Sequence, residues 1–296
     1  MATQPTQPHV AAGPTPGFAQ RRARALIGWL SVDEGALWLA GRQLGQAPNQ
    51  VHRAACEAAR AAVAIRPAGV DQRELFSDLP GAASAHIEAL RRDPTGSQIL
   101  TEAGEPKLVD LSKVCAAQPQ ILTEDAVKRV QGVRPDDVLT LVQITLPLPE
   151  PGAVPAAFDA AKNAWILSSP NPNLRVTGHF NAQVAPGVMG FGFAVAVQKS
   201  YLQVAGLGGR YFLRDGYHRA YGLLTAGIRQ VPALVKEYDS FEQVAMPVGL
   251  LPQGAYLGDR PPLLPDYLDN RVAADTSLPV VQKMVVVQGL ELSSVG

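Results

Sequence analysis

The stretch that most constrains the fold is residues 212–235, where signals of a strand, a tight polar turn, a helix and a second strand follow one another closely. Polar and apolar residues alternate over 210–214, and Asp215-Gly216 interrupts them with turn-forming residues. Apolar residues then recur at helical spacing up to Gly227, which is predicted to follow the last helical turn. Residues 231–236 resume a strand pattern. We therefore predict a strand, a turn, a helix that Asp215 caps, and a strand.

The turn of this segment has the chemistry of an anion site. Gly216, His218 and Arg219 fall where a helix begins, and the first backbone N–H groups of a helix have no partner within it. Arg219 adds a guanidinium fork suited to phosphate. We expect Arg219 to be partly exposed in a concavity. His218 could instead be a cap or a packed imidazole, and Asp215 could be a structural cap or an acid or base.

The same residues carry a family resemblance. Asp215-Gly-Tyr-His-Arg219, followed by an apolar helix, a glycine and Val231-Pro232, resembles the phosphate-binding motif of the ParB/sulfiredoxin superfamily. That superfamily includes ParB partition nucleotidases, sulfiredoxins and ADP- or ATP-dependent free-serine kinases. Residues 107–114, Gln118-Pro119 and a predicted helix over 123–130 are similar to the opening of a ParB-like domain. The resemblance covers about residues 106–238.

The resemblance implies a nucleotide ligand (ATP, ADP or CTP) with Mg²⁺, and phosphoryl transfer to a small hydroxyl substrate as the activity. The residues that it implies for nucleotide binding are Gly216, Tyr217, His218 and Arg219. Those that it implies for catalysis are Asp215, His218 and Glu124.

This chain departs from the family pattern at positions that distinguish sulfiredoxins, ParB proteins and the kinase-like members. Tyr217 stands where sulfiredoxins have their reactive cysteine, so sulfinic-acid reduction by that route is excluded. ParB proteins generally carry Glu-Arg-Arg after the glycine, whereas Tyr-His-Arg is closer to the Asp-Gly-His-His-Arg of the kinase-like members. Those kinases have a catalytic glutamate near the position of Gln118, for which Glu124 and Asp125 are the nearby substitutes.

Composition limits the remaining function classes. Lysine plus arginine equals aspartate plus glutamate at 26 each, so no global basic field favours DNA binding. Cys56 and Cys115 lie far apart without metal-ligand spacing, and His179 has no neighbouring ligand residue, so we expect no protein-held metal site and a reducing compartment. No apolar run approaches 18 residues and residues 1–17 lack a signal-peptide pattern, which predicts a cytoplasmic protein without a membrane span.

The chain divides into four predicted regions and belongs to the α+β class. Residues 1–17 are rich in proline, threonine and glutamine and are predicted to be disordered. Residues 18–97 are predicted to be helical, with Ser31 capping a helix over 35–44 and further helices over 48–65 and 82–92. The basic cluster Arg21-Arg22-Ala-Arg24 is placed at a helix start. A ParB/sulfiredoxin-like α/β domain is predicted over 106–245, and a proline-rich arm over 246–296.

Within the α/β domain, strand signals recur more often than a minimal ParB-like domain requires. The predicted strands are residues 138–146, 164–167, 188–197, 211–214 and 231–236, and the Gly206-to-Gly209 stretch is predicted to turn a hairpin. This spacing implies a β-insertion between the opening box and the Asp215 turn. A last strand is expected within 280–290, where Met284 to Val287 must be paired or covered.

Three functions from different classes remain open. The first is a nucleotide-dependent phosphotransferase or nucleotidase. The second is a nucleotide-binding switch or DNA-partition-like module, and the third is a non-catalytic interaction scaffold. A small-molecule nucleotide is the expected partner in the first two, and the sequence leaves the substrate and the oligomeric state open.

Overall fold

The computed structural model describes residues 19–41, 45–149, 156–169, 174–197, 199–246, 249–280 and 283–288. Helices and strands are mixed along these ranges, which confirms the α+β class. The helices are α1 (Val32–Ala40), α2 (Gln50–Ala64), α3 (Ser84–Arg92), α4 (Pro94–Ala103), α5 (Thr123–Arg129), α6 (Val138–Thr145), α7 (Tyr217–Thr225), α8 (Phe241–Val244) and α9 (Gln253–Tyr256).

Within the described ranges, the strands form four separate sheets. They are β1 (Gln20–Ala25), β2 (Phe76–Ser77), β3 (Glu105–Asp110), β4 (Gln120–Leu122), β5 (Ala156–Asp159), β6 (Ala164–Ser169), β7 (Leu174–Ala185), β8 (Val188–Val197), β9 (Gln203–Leu207), β10 (Arg210–Asp215), β11 (Gln230–Tyr238), β12 (Ala274–Pro279) and β13 (Lys283–Gln288). The predicted disordered segment, residues 1–17, lies outside the described residues.

A five-stranded sheet has the strand order β10-β9-β11-β3-β2. It includes β10 and β11, the two strands predicted on either side of the 215–227 turn and helix. β9 and β10 form a hairpin through Gly208 and Gly209, as predicted, and β11 runs parallel to β9. α7 is the connection that carries the chain from β10 to β11. Phe212, Leu213, Leu223, Val231 and Ala233 are fully buried in the main core between this sheet and the helices. The strand, turn, helix and strand order is therefore confirmed.

The predicted C-terminal end of α7 is confirmed, whereas its predicted N-cap is wrong. At the C-terminal end, Gly227 is left-handed, its N–H donates to Leu224 O at 3.0 Å, and the N–H of Ile228 donates to Leu223 O at 2.8 Å. This is a Schellman motif, so the predicted helix end is confirmed. At the N-terminal end, the N-cap position belongs to Gly216, and Asp215 accepts a bond from the Gly216 N–H instead of capping the next turn. The prediction of Asp215 as N-cap was wrong.

A second sheet, β12-β1-β4, joins three distant parts of the chain. Its middle strand, β1, occupies residues predicted to be helical, and the Arg21 to Arg24 cluster lies in this strand and not at a helix start. Ala23 and Ala25 are buried, whereas Arg22 is exposed and Arg24 is half-buried, which is the period of a strand. The pairing partners lie about 100 and 250 residues away, so residues 18–97 are not an independent helical region.

Helices are present at the three places predicted within residues 18–97, although their ends differ from the predicted ones. The side chain of Ser31 accepts a bond from Glu34 N at 3.2 Å and caps α1, which ends at Ala40. α2 and α3 fall within the predicted ranges 48–65 and 82–92. α4 extends the helical part beyond residue 97 to Ala103.

Residues 138–146 were predicted to form a strand and instead form α6. Asp137 caps this helix by accepting bonds from the Thr140 N–H at 3.0 Å and from the Thr140 hydroxyl at 2.6 Å. Leu141, Val142 and Thr145 then form its buried face. A short apolar run does not distinguish a buried strand from a buried helix, and the cap together with packing decided between them.

The predicted β-insertion is present between α6 and β9. It contains β5 and β6, to which β13 of the C-terminal arm adds a third strand, and the separate hairpin β7-β8. β13 pairs with β6 over Lys283↔Ser169 to Gln288↔Ala164, so the predicted last strand is paired, as expected. The C-terminal arm therefore returns twice to earlier parts of the chain, through β12 to β1 and through β13 to the insertion.

Candidate functional site

A cavity of about 390 Å³ lies beside the turn that precedes α7, and we call it the Asp215 pocket. Its wall combines the turn with α4, β7, β9 and the loop after β3. The lining residues are Ile99, Glu102, Ala103, Gln118, Arg175, Gln203, Arg214, Asp215, Tyr217 and Ala245. Two arginines, two carboxylates and two carboxamides thus surround one space.

An irregularity in β10 shapes this wall. The pairing of β10 with β9 shifts register between Leu213 and Asp215, so Arg214 is the extra residue of a bulge. Bulges redirect side chains and are frequent beside functional sites. The Arg214 guanidinium donates to Gln203 Oε1 at 3.2 Å and to the Tyr238 hydroxyl at 3.4 Å. These bonds hold a positive charge at the edge of the pocket.

Gly216 allows the chain to turn from the pocket into α7. Its φ of 94° lies in the left-handed region, and a Cβ at this position would lie 2.9 Å from the Cα of Leu202. Both facts require glycine. The close approach to Leu202 fixes the beginning of α7 against the start of β9, so the N-terminal end of the helix meets the pocket.

The Asp215 carboxyl has an unusual environment. Burial raises its pKa above the usual range, and the bond from the Gly216 N–H at 2.6 Å and the charges of Arg219 and Arg214 act in the opposite direction. A carboxyl whose pKa is raised in a polar cavity is suited to proton transfer. Of the three residues predicted to be catalytic, Asp215 is the one that lines this pocket.

Tyr217 contributes to the pocket wall but is mainly part of the core. Its hydroxyl donates to Leu213 O and accepts a bond from the Ala117 N–H at 2.8 Å. Burial raises the pKa of this phenol, so the hydroxyl stays protonated. Tyr217 therefore ties α7 to the strand before it and to the segment before Gln118.

His218 faces away from the Asp215 pocket. Its Nε2 accepts a bond from the Leu122 N–H at 3.1 Å, which joins α7 to the end of β4. Burial lowers the pKa of His218 to about 4, and the charge of Arg129 acts in the same direction. A neutral imidazole that accepts a backbone bond is a structural residue, which is the packed alternative considered for it above.

Acid should destabilise the protein through His218. Its pKa falls from an ordinary 6.5 to about 4 on folding, so the unfolded chain binds the proton more readily. The stability that the neutral ring provides is complete above pH 6.5 and is lost as the pH falls toward 4. We expect a loss of about 2 kcal/mol between pH 7 and pH 5 from this group, measured by urea unfolding.

The His218→Gln variant is the control, because glutamine keeps an acceptor for the Leu122 N–H and does not titrate. Asp215 acts with the opposite sign, since protonating a carboxyl whose pKa is raised relieves a cost of folding. It is present in both proteins, so the difference between them isolates His218. Equal losses in wild type and variant would contradict the prediction.

Arg219 was predicted to be partly exposed and is buried, with 7% of its surface accessible. Its guanidinium donates to Ile144 O at 3.0 Å and Thr145 O at 3.3 Å, at the end of α6, and also to the carbonyl and hydroxyl of Ser200. The last carbonyls of a helix lack partners within it, so Arg219 satisfies the end of α6. Its donors are engaged, and it does not line the Asp215 pocket.

Glu124 does not join the other predicted residues. It is exposed in the first turn of α5, and its neighbour Asp125 pairs with Arg21 at 2.9 Å. Gln118, which occupies the place of the kinase glutamate, does line the pocket. Its side chain donates to Gln120 O, and its carbonyl accepts a bond from the Tyr267 hydroxyl.

No sequence pattern indicates several of the pocket residues. Arg214 directly precedes the Asp215-Gly-Tyr-His-Arg219 motif. Its side chain reaches the pocket because of the bulge in β10, which the sequence does not predict. Gln203, Arg175 and Glu102 lie in different elements and belong to no motif. The pairing of β9 with β10, the packing of α4 against β11 and the position of the insertion bring them to Asp215.

Comparison of this chain with protein-family models, curated proteins and solved structures finds no match.

The described ranges hold neither a preformed metal cluster nor a helix that could span a membrane. No group of three or more histidine, cysteine, aspartate or glutamate side chains there is arranged to hold a metal ion. None of the helices in these ranges combines the length and apolar character that crossing a bilayer requires. Cys56 and Cys115 are buried free thiols.

A larger cavity, of about 630 Å³, lies between β1, β12 and α1. None of residues 214–219 lines it. Arg24, one of its two arginines, is already bonded to Asp275 at 2.8 Å and to the side chain of Asn270. The Asp215 pocket is therefore the better candidate, because it contains both the recognised turn and a carboxyl with a raised pKa.

Proposed function

We propose that this protein binds a nucleotide or another phosphate-bearing small molecule in the Asp215 pocket. The observation that carries the proposal is the convergence of Arg214, Arg175 and the beginning of α7 on one cavity. Guanidinium groups and the N-terminal ends of helices both favour phosphate. The resemblance of the 215–219 turn to ParB/sulfiredoxin phosphate sites supports the same ligand class.

The volume of the Asp215 pocket also favours a small ligand. A volume of about 390 Å³ falls within the roughly 300–1,000 Å³ typical of small-molecule sites. Gln118 and Gln203 add carboxamides that can donate to and accept from a base or a sugar. In this proposal Arg214 replaces Arg219 as the principal phosphate ligand, because the donors of Arg219 are occupied by backbone carbonyls.

Magnesium can enter with the nucleotide. Mg²⁺ is usually held by one or two carboxylates together with substrate phosphates, and Glu102 lines the pocket. Glu102 would hold the ion, which supplies charge neutralisation at the phosphates. A preformed cluster of protein ligands is not needed for this role.

Phosphoryl transfer is the activity that we infer for this site. Transfer to a hydroxyl group depends mainly on positioning and charge, with one base to accept the hydroxyl proton. Asp215 is the candidate base, because it lines the pocket and its pKa is raised. His218 and Glu124 have no part in this scheme, since neither lines the pocket.

Calorimetric titration with ATP, ADP and CTP in the presence of Mg²⁺ tests the binding. We expect Arg214→Ala to weaken the tightest of these nucleotides by about 10- to 100-fold, since a hydrogen bond to a charged group contributes about 1.5–3 kcal/mol. Arg210→Ala is the matched control. Arg210 lies on the same strand, donates to Gly258 O at 3.1 Å and does not line the pocket.

Two results would contradict the proposal: no binding of any of the three nucleotides, or equal affinity in wild type and Arg214→Ala. The transfer step is tested separately with Asp215→Asn, which should retain binding and lose nucleotide turnover. If wild type binds without turnover, the switch function replaces the enzyme. If it binds nothing, the scaffold function is favoured.

A further inference from the structure

The larger cavity, of about 630 Å³, is separate from the Asp215 pocket, and we call it the Arg22 cavity. Its wall includes parts of β1 and β12, the end of α1, the beginning of α5, the middle of α7 and residues 268–270. None of the described residues lines both cavities. The volume falls within the roughly 300–1,000 Å³ that is typical of small-molecule sites. The Arg22 cavity is therefore large enough for a ligand of its own.

The three arginines of β1 differ in their partners. Arg21 pairs with Asp125 at 2.9 Å. Arg24 pairs with Asp275 at 2.8 Å, and both of these residues line the cavity, where their charges compensate each other. Arg22 also lines the cavity, and its guanidinium has no hydrogen bond or ion pair within the described part of the chain. Arg22 thus provides one uncompensated positive charge at this wall.

A hydroxyl group lies beside the Arg22 side chain. Arg22 and Ser277 are directly opposite each other in the antiparallel pairing of β1 with β12, and both line the cavity. The Cβ atoms of such a pair lie about 4.5–5.5 Å apart on the same face of the sheet. The Ser277 hydroxyl, like the Arg22 guanidinium, has no partner among the described residues. Together they offer donors for the two oxygens of one carboxylate.

Tyr221 brings a second hydroxyl to the cavity. This residue is 9% accessible, and its ring contacts the Tyr267 ring edge to face, with centroids 6.4 Å apart. A buried tyrosine hydroxyl usually has a hydrogen-bond partner, but that of Tyr221 has none within the described ranges. Asn270, which also lines the cavity, accepts a bond from Arg24 through its side-chain oxygen, so its amide N–H groups remain to donate.

We propose that the Arg22 cavity binds a small hydroxylated carboxylic acid of the sugar-acid type. Its carboxylate pairs with Arg22 and Ser277, and its hydroxyl groups bond to Tyr221 and Asn270. A carboxylate fits this wall better than a polyphosphate, because one uncompensated cation matches one negative charge. Hydroxyl groups both donate and accept hydrogen bonds, so they suit a wall that offers a phenol and an amide.

Calorimetric titration of the full chain with D-gluconate tests this inference, which does not depend on the nucleotide proposal. Two further probes each lack one half of the proposed ligand chemistry. D-glucitol has the hydroxyl groups without the carboxylate, and hexanoate has the carboxylate without the hydroxyl groups. We expect gluconate to bind at least about 10-fold more tightly than either of them.

Arg22→Ala should weaken gluconate binding by about 10- to 100-fold, because it removes the charged donor. Arg21→Ala is the matched control and should bind gluconate like wild type. It removes the same charge from the adjacent residue of β1, which pairs with Asp125 and does not line the cavity. Tyr221→Phe keeps the ring and should weaken binding by about 3- to 10-fold.

Three results would overturn the assignment of this cavity. They are a wild type that does not bind gluconate, a wild type that binds glucitol or hexanoate as tightly as gluconate, and an Arg22→Ala variant with the gluconate affinity of wild type. The same variant should bind nucleotide like wild type, since Arg22 does not line the Asp215 pocket. A wild type that binds gluconate and no nucleotide would support the Arg22 cavity and refute the nucleotide proposal.

Discussion

Arg219→Ala should lower the free energy of unfolding by about 3–5 kcal/mol, because it removes a buried guanidinium that donates to backbone carbonyls of two other segments. The carbonyls of Ile144, at the end of α6, and of Ser200, before β9, lose this donor, whereas the Thr145 carbonyl keeps the bond from the Leu202 N–H at 2.9 Å. Loss of the guanidinium therefore loosens the contact between α6, α7 and the beginning of β9. Urea unfolding measures the change through its midpoint at constant slope.

Arg214→Ala is the matched control for stability. Arg214 is half-buried and bonds only side chains, Gln203 and Tyr238, at 3.2 and 3.4 Å, so we expect a loss of about 1 kcal/mol or less. The two arginines should thus separate into one that stabilises the fold and one that binds ligand. An Arg219→Ala protein as stable as Arg214→Ala would refute the structural role of Arg219.

Tyr217→Cys should cost about 3–5 kcal/mol and create no sulfiredoxin activity. Replacing a buried aromatic ring with a thiol leaves a cavity, and the Ala117 N–H and the Leu213 carbonyl lose their hydroxyl partner. A thiol buried at this position is held protonated by desolvation, and the thiolate is the reactive form. Thermal unfolding and an assay of sulfinic-acid reduction are the two measurements.

Tyr217→Phe separates the two contributions. It keeps the ring and removes only the hydroxyl, so we expect a loss of about 1–3 kcal/mol, which is the cost of the unsatisfied groups alone. If Tyr217→Phe and Tyr217→Cys were equally unstable, the ring would contribute nothing. If Tyr217→Cys gained reductase activity, the structural interpretation of Tyr217 would be wrong.

The side chains around the turn before α7 therefore form two groups, one bonded to neighbouring elements and one beside the cavity. Tyr217, His218 and Arg219 bond to Ala117, Leu122 and the end of α6, and so attach the first turn of α7 to its neighbours. Asp215, together with the preceding Arg214, faces the cavity. Residues that the sequence predicts to form one continuous site thus form a helix start that is tied to its neighbours, with the Asp215 and Arg214 side chains beside the cavity.

Local patterns were reliable where hydrogen bonds between near neighbours determine structure. The Ser31 cap, the Gly227 helix end and the hairpin at Gly208-Gly209 are confirmed, because each depends on a few consecutive residues. The pattern failed for residues 138–146, where an apolar run suited both a strand and a helix. It also failed for β1, whose partners β4 and β12 lie far along the chain.

The sequence by itself determined the α+β class, the order of elements around α7 and the presence of an insertion, since these follow from periodicity and turn chemistry. It did not determine which side chains of the turn meet a ligand. Only the tertiary structure directed Arg219 into carbonyls of a helix about 75 residues earlier and brought Arg175, Gln203 and Arg214 to Asp215. The physical reason is that the direction of a side chain depends on the bulge in β10 and on packing between distant segments, which no local pattern encodes.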